Sequence, residues 1–173
     1  LPAGIPAEQR LFFYPGSSIG NLSPEDAHAM LQRIRGQCEG GGLLVGVDRV
    51  KPRQVLEPAY DDALHLTAAF NLNLLRHVNS VLDADFDVGD WRHVALFNSA
   101  RSRIEMHLEA QRAVRVAWPG GQREFSAGER IHTENSYKFT PQSFAGLLQS
   151  AGYRDVAHWS DSRGWFSIFS ARA

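Results

Sequence analysis

The sequence predicts an α/β protein: the second, incomplete half of a Rossmann-like sheet with an inserted α+β substrate-binding subdomain. Two short apolar runs, at residues 10–14 and 43–48, flank an amphipathic helical segment, which is the strand–helix–strand order of a parallel sheet. The same order of capped helix and apolar strands returns after residue 139. The stretch between is rich in segments where polar and apolar residues alternate, and in turn signals. We therefore predict a partial core at 1–50, the inserted subdomain at 51–139, and a closing helix and hairpin of the core at 140–173.

The helices of the core are predicted from their end signals. Ser23 suits an N-cap, because its hydroxyl can accept a hydrogen bond from the first helical turn, and Pro24 suits the first helical position. Three glycines at 40–42 are expected to end this helix. Thr140 and Pro141 repeat the same opening signal, so a second capped helix is expected there.

The inserted subdomain is predicted to combine one long helix with several strands. Residues 59–82 are interpreted as a single helical stretch whose asparagines and histidines indicate a polar contact on one side. Extended segments are predicted at 91–100, 103–108, 113–118 and 123–125, with a hairpin turn at 119–121.

The composition argues against several classes of protein. With 18 basic and 19 acidic residues, the formal net charge of −1 gives no electrostatic basis for binding nucleic acid or a membrane surface. A single cysteine, Cys38, excludes an internal disulfide, and the seven histidines lack metal-site spacing, so no metal is expected. No apolar run approaches the roughly 20 residues of a membrane helix. A cytoplasmic location is expected, and the start at Leu1 without a methionine predicts a truncated chain.

Four motifs carry a resemblance that covers nearly the whole chain. They are FFYPGSSIGNL at 12–22, PAYDDALHLTAAFNLNLLRHVN at 58–79, RIEMHL at 103–108 and GERIHTENSYKF at 128–139. In order and approximate spacing they resemble the histidine-specific S-adenosylmethionine-dependent Nα-methyltransferases of ergothioneine biosynthesis. The resemblance implies a class I methyltransferase core, S-adenosylmethionine as cosubstrate, and methylation of the α-amino nitrogen of histidine towards trimethylhistidine (hercynine).

The loop at 15–21 holds the first candidate residues. Gly16 and Gly20 let the backbone approach a ligand closely, and Asn21 offers a side-chain amide, although its residue type alone favours a cap for the following helix. The resemblance implies that Asn21 holds the substrate's α-amino group beside the methyl donor and is the catalytic residue. We assign Gly16 and Ser18 to the cofactor side of the loop.

The remaining candidates lie in the inserted subdomain and its final strand. Glu134 and Ser136 are two residues apart, so on a strand they face the same way and can bracket the two nitrogens of an imidazole; the alternative is a solvated strand face. The resemblance implies that this pair binds the histidine ring and that Tyr60 contacts the substrate carboxylate. Met106 would be an apolar wall of the pocket. The alternatives are a packing tyrosine and an ordinary core methionine.

Much of the donor site is expected upstream of this chain. The glycine-rich turn after the first strand and the ribose-binding acid of class I methyltransferases have no counterpart here, and Asp48 is expected to cap or to pair with Arg49 or Lys51 instead. The isolated chain is therefore expected to be inactive. Exposed sheet edges favour pairing with a missing N-terminal half or with another copy.

Three other functions stay open at this point. The chain could belong to a methyltransferase for another small amine or amino acid. It could be a non-catalytic substrate-binding fragment completed by a partner chain. The pattern alone also fits a different nucleotide-binding α/β enzyme.

Overall fold

A computed structural model describes residues 4–6 and 8–173, and these contain four α-helices and nine β-strands. The start of the chain at Leu1, which led to the expectation of truncation, lies outside the described residues. The chain divides into two compact units, one formed by Leu1–Lys51 with Ser136–Ala173 and the other by Pro52–Asn135. None of the helices in the described ranges is long and apolar enough to cross a membrane.

The first unit is built on a four-stranded sheet. Its strands are β1 (Leu11–Tyr14), β2 (Gly42–Asp48), β8 (Arg154–Ser160) and β9 (Phe166–Arg172), in the order β1-β2-β9-β8. Strands β1 and β2 are parallel, whereas β9 runs antiparallel to both of its neighbours. The unit also contains α1 (Pro24–Arg35) and α4 (Pro141–Ser150). The prediction of a partial α/β sheet is confirmed.

The expected caps form in this unit. The Ser23 hydroxyl accepts a hydrogen bond from the Asp26 amide at 3.1 Å, and Thr140 and Ser143 cap each other's backbone amides at 3.0 Å. Helix α1 nevertheless ends at Arg35, one turn before the glycines at 40–42. Positive φ angles of 37° at Glu39 and 81° at Gly40 cannot continue a right-handed helix, so residues 36–40 form a turn.

A continuous apolar core holds the sheet and helices of the first unit together. Phe144 of α4 and Phe169 of β9 are both fully buried, with ring centroids 4.9 Å apart. Leu31 of α1 and Leu43 of β2 are equally inaccessible. Each such side chain contributes about 1.5–3 kcal/mol when removed from water, so this core fixes the strand ends that carry the candidate loop.

The second unit pairs two helices with short sheets. Its helices are α2 (Arg53–Tyr60) and α3 (Leu66–Leu82). Its strands are β3 (Trp91–Asn98), β4 (Arg103–Ala110), β5 (Val114–Trp118), β6 (Gly121–Phe125) and β7 (Arg130–Tyr137), the last of which extends into the first unit. One sheet has the order β3-β4-β7, and β5 and β6 form a separate hairpin.

The prediction of one helix over 59–82 is wrong, because the chain breaks between Tyr60 and Leu66. Helix α2 ends at Tyr60, where Asp61 is its C-cap, and His65, in a left-handed conformation with φ of 56°, is the N-cap of α3. The Asp62 carboxylate accepts hydrogen bonds from the amides of Leu66 and Thr67, at 3.1 and 2.9 Å. These bonds lower the pKa of Asp62 to about 2, so the carboxylate stays charged and caps α3.

Candidate functional site

The loop between β1 and α1 is folded tightly onto the end of β7. Gly16 and Ser17 both have left-handed φ angles, 81° and 62°, and a 3-10 turn follows at Ser18–Asn21. A methyl group on Gly20 would lie 2.8 Å from the carbonyl oxygen of Tyr137, so only glycine permits this approach. A methyl group on Gly16 would have no neighbour within 4 Å. The loop is therefore anchored on one side and open on the other.

The end of β2 provides a second anchor for this loop. The Asp48 amide donates a 2.7 Å hydrogen bond to the Ser17 hydroxyl. A methyl group on Gly46 would lie 3.3 Å from the amide nitrogen of Gly16 and 2.7 Å from the Phe166 ring, so β2 needs glycine where it passes the loop. The loop thus lies at the carboxyl ends of the two parallel strands, where open α/β sheets bind ligands.

A buried charge cluster extends this anchor to Ser136. The Lys138 side chain is wholly buried, and its ammonium lies 3.0 Å from Asp48 Oδ2. The same ammonium donates a 2.8 Å hydrogen bond to the Ser136 hydroxyl. Lys51 contacts Asp48 Oδ1, which confirms the expected local pair. No sequence motif pointed to Lys138, because its partner Asp48 lies far away in the chain.

Asn21 lies at the end of the 3-10 turn with an exposed side chain. The capping position of α1 is taken by Ser23, which accepts from the Asp26 amide. Ser23, and not Asn21, is therefore the residue that caps the start of this helix. Gly16 and Ser18 are exposed on the same loop.

Tyr60 and Met106 meet in the second unit. Met106 is 4% exposed and belongs to a small apolar cluster with Leu56 and Ile104, against which Tyr60 packs. The backbone oxygen of Tyr60 accepts a 2.7 Å hydrogen bond from His93 Nε2, whose other ring nitrogen lies 2.9 Å from the Asn71 amide nitrogen. These contacts fix the end of α2 on the sheet.

Glu134 belongs to the other, polar face of the β3-β4-β7 sheet. On this face His132 of β7 stacks on His107 of β4 with ring centroids 4.7 Å apart. Because side chains alternate along a strand, Glu134 lies on the side of His132, and Ser136 follows on that same side. Met106 alternates with His107 on β4 and lies on the opposite face. The geometry therefore groups Met106 with Tyr60 and not with Glu134.

One group of potential metal ligands occurs among the described residues. Ligand atoms of Glu105, His107 and His132 lie within 4.8 Å of one another. Arg103 lies 2.6 Å from the Glu105 carboxylate, and a cation would have to compete with this guanidinium. Burial, followed by the charge of His132, lowers the pKa of His107, so its ring is neutral near pH 7. The stacked rings therefore do not repel each other, and the group is explained as a structural polar network.

The seven sequence-predicted residues thus fall into two sets. Gly16, Ser18, Asn21 and Ser136 belong to the first unit, and Tyr60, Met106 and Glu134 to the second. Within the first unit, hydrogen bonds through Ser17, Asp48 and Lys138 connect the loop to Ser136. An amide, hydroxyls and a carboxylate can bind an amine and an imidazole by hydrogen bonds, without providing a strong acid, a strong base or a nucleophile.

Comparisons with known proteins agree on one family. A family model described as histidine-specific, S-adenosylmethionine-dependent methyltransferase matches residues 1–173. The histidine N-alpha-methyltransferase of Mycolicibacterium smegmatis is 44% identical over 163 residues, which cover 92% of this chain and 51% of that protein. The protein of the same name from Mycobacterium tuberculosis is 43% identical, with the same coverage. The L-tryptophan methyltransferase of Psilocybe serbica is 28% identical over 165 residues, covering 91% and 45%.

Among solved structures, the CcbJ methyltransferase from Streptomyces caelestis has a TM-score of 0.49 and 14% identity, covering 100% of this chain and 60% of that one. The chain spans about half the length of the curated relatives it matches.

Proposed function

This chain belongs to the family of histidine-specific, S-adenosylmethionine-dependent methyltransferases, and on that premise we propose that it supplies most of the histidine-binding part of an enzyme that methylates the α-amino nitrogen of histidine. Two relatives named histidine N-alpha-methyltransferase, at 44% and 43% identity, support the proposal. The observation that carries it is the hydrogen-bonded connection from the loop of Asn21 to Ser136, because Asn21, expected to contact the amine, and Ser136, expected to contact the imidazole, belong to the same unit.

On the donor side, the open space beside Gly16 fits a ligand that approaches the backbone closely. Gly16 and Ser18 would hold part of S-adenosylmethionine, which supplies the electrophilic methyl group. The amide oxygen of Asn21 would accept a hydrogen bond from the substrate amine and leave the nitrogen lone pair free to attack. Because the reacting amine needs only to be neutral and aligned, positioning supplies most of the rate.

On the substrate side, the Tyr60 hydroxyl donates to the histidine carboxylate. Glu134 accepts from one imidazole nitrogen and Ser136 contacts the other. Met106 enters the proposal through the apolar cluster that supports Tyr60, because the alternation of β4 places it away from Glu134. The cytoplasmic location and the pairing with an N-terminal half or another copy stay predictions.

The decisive experiment is a calorimetric titration of L-histidine into the complete protein and its Glu134→Ala variant. Loss of a charge-assisted hydrogen bond of about 1.5–3 kcal/mol predicts roughly ten- to a hundredfold weaker binding. Glu124→Ala is the matched control, because Glu124 is exposed on the β6 hairpin strand. Equal histidine affinities in Glu134→Ala and the parent protein would refute the assignment.

A methyltransferase for another amino acid is the second candidate, and the similarity to the L-tryptophan methyltransferase favours it. Titration with L-tryptophan beside L-histidine separates the two, since the second candidate requires tighter binding of tryptophan. Titration with S-adenosylmethionine tests the non-catalytic alternative. Binding of histidine without binding of the donor would identify a substrate-binding module.

A further inference from the structure

Three elements of the second unit meet at His93 of β3. Its Nε2 lies 2.7 Å from the backbone oxygen of Tyr60, the last residue of α2. Its Nδ1 lies 2.9 Å from the side-chain nitrogen of Asn71, a fully buried residue of α3. The same nitrogen donates to the backbone oxygen of His107 on β4 at 3.1 Å. His93 therefore attaches the end of α2 to α3 and the sheet.

These contacts allow one arrangement of hydrogens at His93. A backbone carbonyl only accepts, so the group of Asn71 that faces the His107 oxygen must be the NH2 and not the amide oxygen. The second hydrogen of that NH2 is directed to His93 Nδ1, which must be the bare, accepting nitrogen. Nε2 then carries the hydrogen of the ring and donates it to the Tyr60 oxygen. The network thus selects the Nε2–H tautomer.

The orientation of Asn71 has a cost in stability. Its side-chain oxygen is buried and has no hydrogen-bond partner among the residues that the structure describes. A buried polar atom without a partner is destabilising, and an apolar side chain at this position would avoid the loss. An apolar side chain could not, however, direct a donor at Nδ1 and so fix the tautomer of His93.

We propose that His93 is a positioning residue for the carboxylate of the substrate, because its Nε2–H fixes the last carbonyl of α2 and thereby the place of Tyr60. The inference rests on the proposed function, in which the Tyr60 hydroxyl contacts the histidine carboxylate. The last carbonyls of a helix have no partner within the helix, so a donor from another element decides how firmly its end is held. The ring of Tyr60 packs against the apolar cluster that contains Met106, so its ring and its backbone are both held.

A second anchor of α2 makes this role specific to the end of the helix. The Phe97 amide donates a 2.9 Å hydrogen bond to the carboxylate of Glu57, about one turn before Tyr60. Arg53 donates to the same carboxylate at 2.8 Å. These bonds attach the body of α2 to β3 without His93. Loss of the His93 donor should therefore loosen the last turn of α2 and leave the rest of the helix in place.

The test compares L-histidine with histamine, which has the same imidazole and an amine but no carboxylate. Both are titrated by calorimetry into the complete protein and its His93→Leu variant in the presence of S-adenosylhomocysteine. We expect His93→Leu to bind L-histidine about tenfold more weakly, the loss of one hydrogen bond, and to change histamine affinity by less than about twofold. His77→Leu is the matched control, because His77 is exposed on α3, and it should change neither affinity. Equal losses for both ligands in His93→Leu would show a general structural role and overturn the inference.

Two further variants test the same role with L-histidine alone. In His93→Gln the side-chain oxygen can accept from Asn71 while the nitrogen donates to the Tyr60 oxygen, so affinity should return to within about threefold of the parent value. Since His93 acts through Tyr60, the double variant His93→Leu/Tyr60→Phe should bind L-histidine no more weakly than Tyr60→Phe. Additive losses would contradict the inference.

The tautomer provides a measurement that does not depend on the folding of any leucine variant. A long-range hydrogen–nitrogen NMR spectrum of the parent protein, with the His93 signals assigned by their absence in His93→Gln, should show hydrogen on Nε2 and a bare Nδ1. The opposite tautomer would remove the donor to Tyr60 and overturn the inference.

Failure of the inference can be told apart from failure of the proposed function. If the parent protein binds no L-histidine, or binds it no more tightly than Tyr60→Phe does, the proposed function is contradicted and the inference falls with it. If Tyr60→Phe weakens the binding of L-histidine and His93→Leu does not, the proposed function stands and the inference alone is overturned.

Discussion

Two charge clusters, one in each compact unit, hold their charged groups in different ways. In the first, the ammonium of Lys138 is wholly buried and is balanced by Asp48. In the second, carboxylates lie along one face of a sheet and are shared between partners, as Glu109 is shared by Arg92 and Arg130. Both arginines keep much of their side chain in water, with 57% and 39% exposed.

This difference separates a charge pair with a buried ammonium from a carboxylate shared by partly exposed arginines. A buried ammonium that loses its counter-ion cannot turn to water, so its geometry is held rigidly. A solvent-exposed guanidinium that loses its carboxylate is hydrated instead, and little is lost. The rigid arrangement adjoins the candidate loop, which is where precise placement is needed.

The largest expected effect comes from Asp48→Asn, which leaves the Lys138 charge without its compensating carboxylate. We expect the free energy of unfolding to fall by about 3 kcal/mol, as for breaking other buried pairs. Urea unfolding of the parent and variant proteins measures it. Asp155→Asn is the control, because Asp155 is 70% exposed beside Arg172, and it should change stability by less than about 0.5 kcal/mol. Equal effects of the two substitutions would remove the contrast between buried and exposed charge.

The second-largest effect on stability is expected from a steric change in the loop between β1 and α1. Gly20→Ala places a methyl group 2.8 Å from the Tyr137 carbonyl oxygen and must displace the loop, at a cost of about 1–3 kcal/mol. Gly146→Ala adds the same methyl group on α4, where nothing lies within 4 Å, and should stabilise the helix by up to about 1 kcal/mol. Thermal unfolding distinguishes them by opposite shifts in Tm. A neutral Gly20→Ala would mean that the loop is not anchored there.

In the second unit, Glu109→Gln should cost only about 1 kcal/mol at pH 7. Hydrogen bonds from Arg130 and then Arg92 lower the pKa of Glu109, so its stabilising effect is present at neutral pH and lost on acidification below the usual carboxyl range. The difference between the parent and the variant in urea unfolding should therefore be smaller at pH 3 than at pH 7. Glu124→Gln, on the exposed β6 hairpin strand, is the comparison expected to show no difference at either pH.

The smallest effect concerns His107. Burial lowers its pKa in the folded protein, so the unfolded chain takes up a proton at a higher pH than the folded one. The contribution of His107 to the free energy of unfolding must then decrease as the pH falls from 7 to 5. In His107→Gln this decrease should be smaller, which unfolding curves at the two pH values would detect. An equal decrease in both proteins would show that other groups control the acid response.

Local signals predicted the parts of the fold that depend on neighbouring residues. Ser23 and Thr140 cap their helices as expected, because the amides they bind lie three residues away. The break between α2 and α3 was missed, since the segment has no glycine and its only signal was the Asp62 side chain, which caps the second helix. A helix-forming composition does not reveal such a break.

The candidate residues could be proposed one by one from motifs, whereas the contacts that support them could not. Asn21 and Ser136 follow from motifs, whereas Lys138 matters through Asp48, which is 90 positions earlier in the chain. The parallel bridge between Arg49 and Phe139 brings the two residues together, and this pairing leaves no signal in the local sequence. The opposite-face placement of Met106 and Glu134 likewise depends on which strands pair.

The hydrogen-bonded series from Ser17 through Asp48 and Lys138 to Ser136 draws on three separate stretches of the chain. A substitution at any one of these four residues therefore destabilises the series unless the other three are already compatible with it. Among descendants of a common ancestor these four positions should change as a set, and a lineage that acquired a different substrate would be expected to have replaced them together.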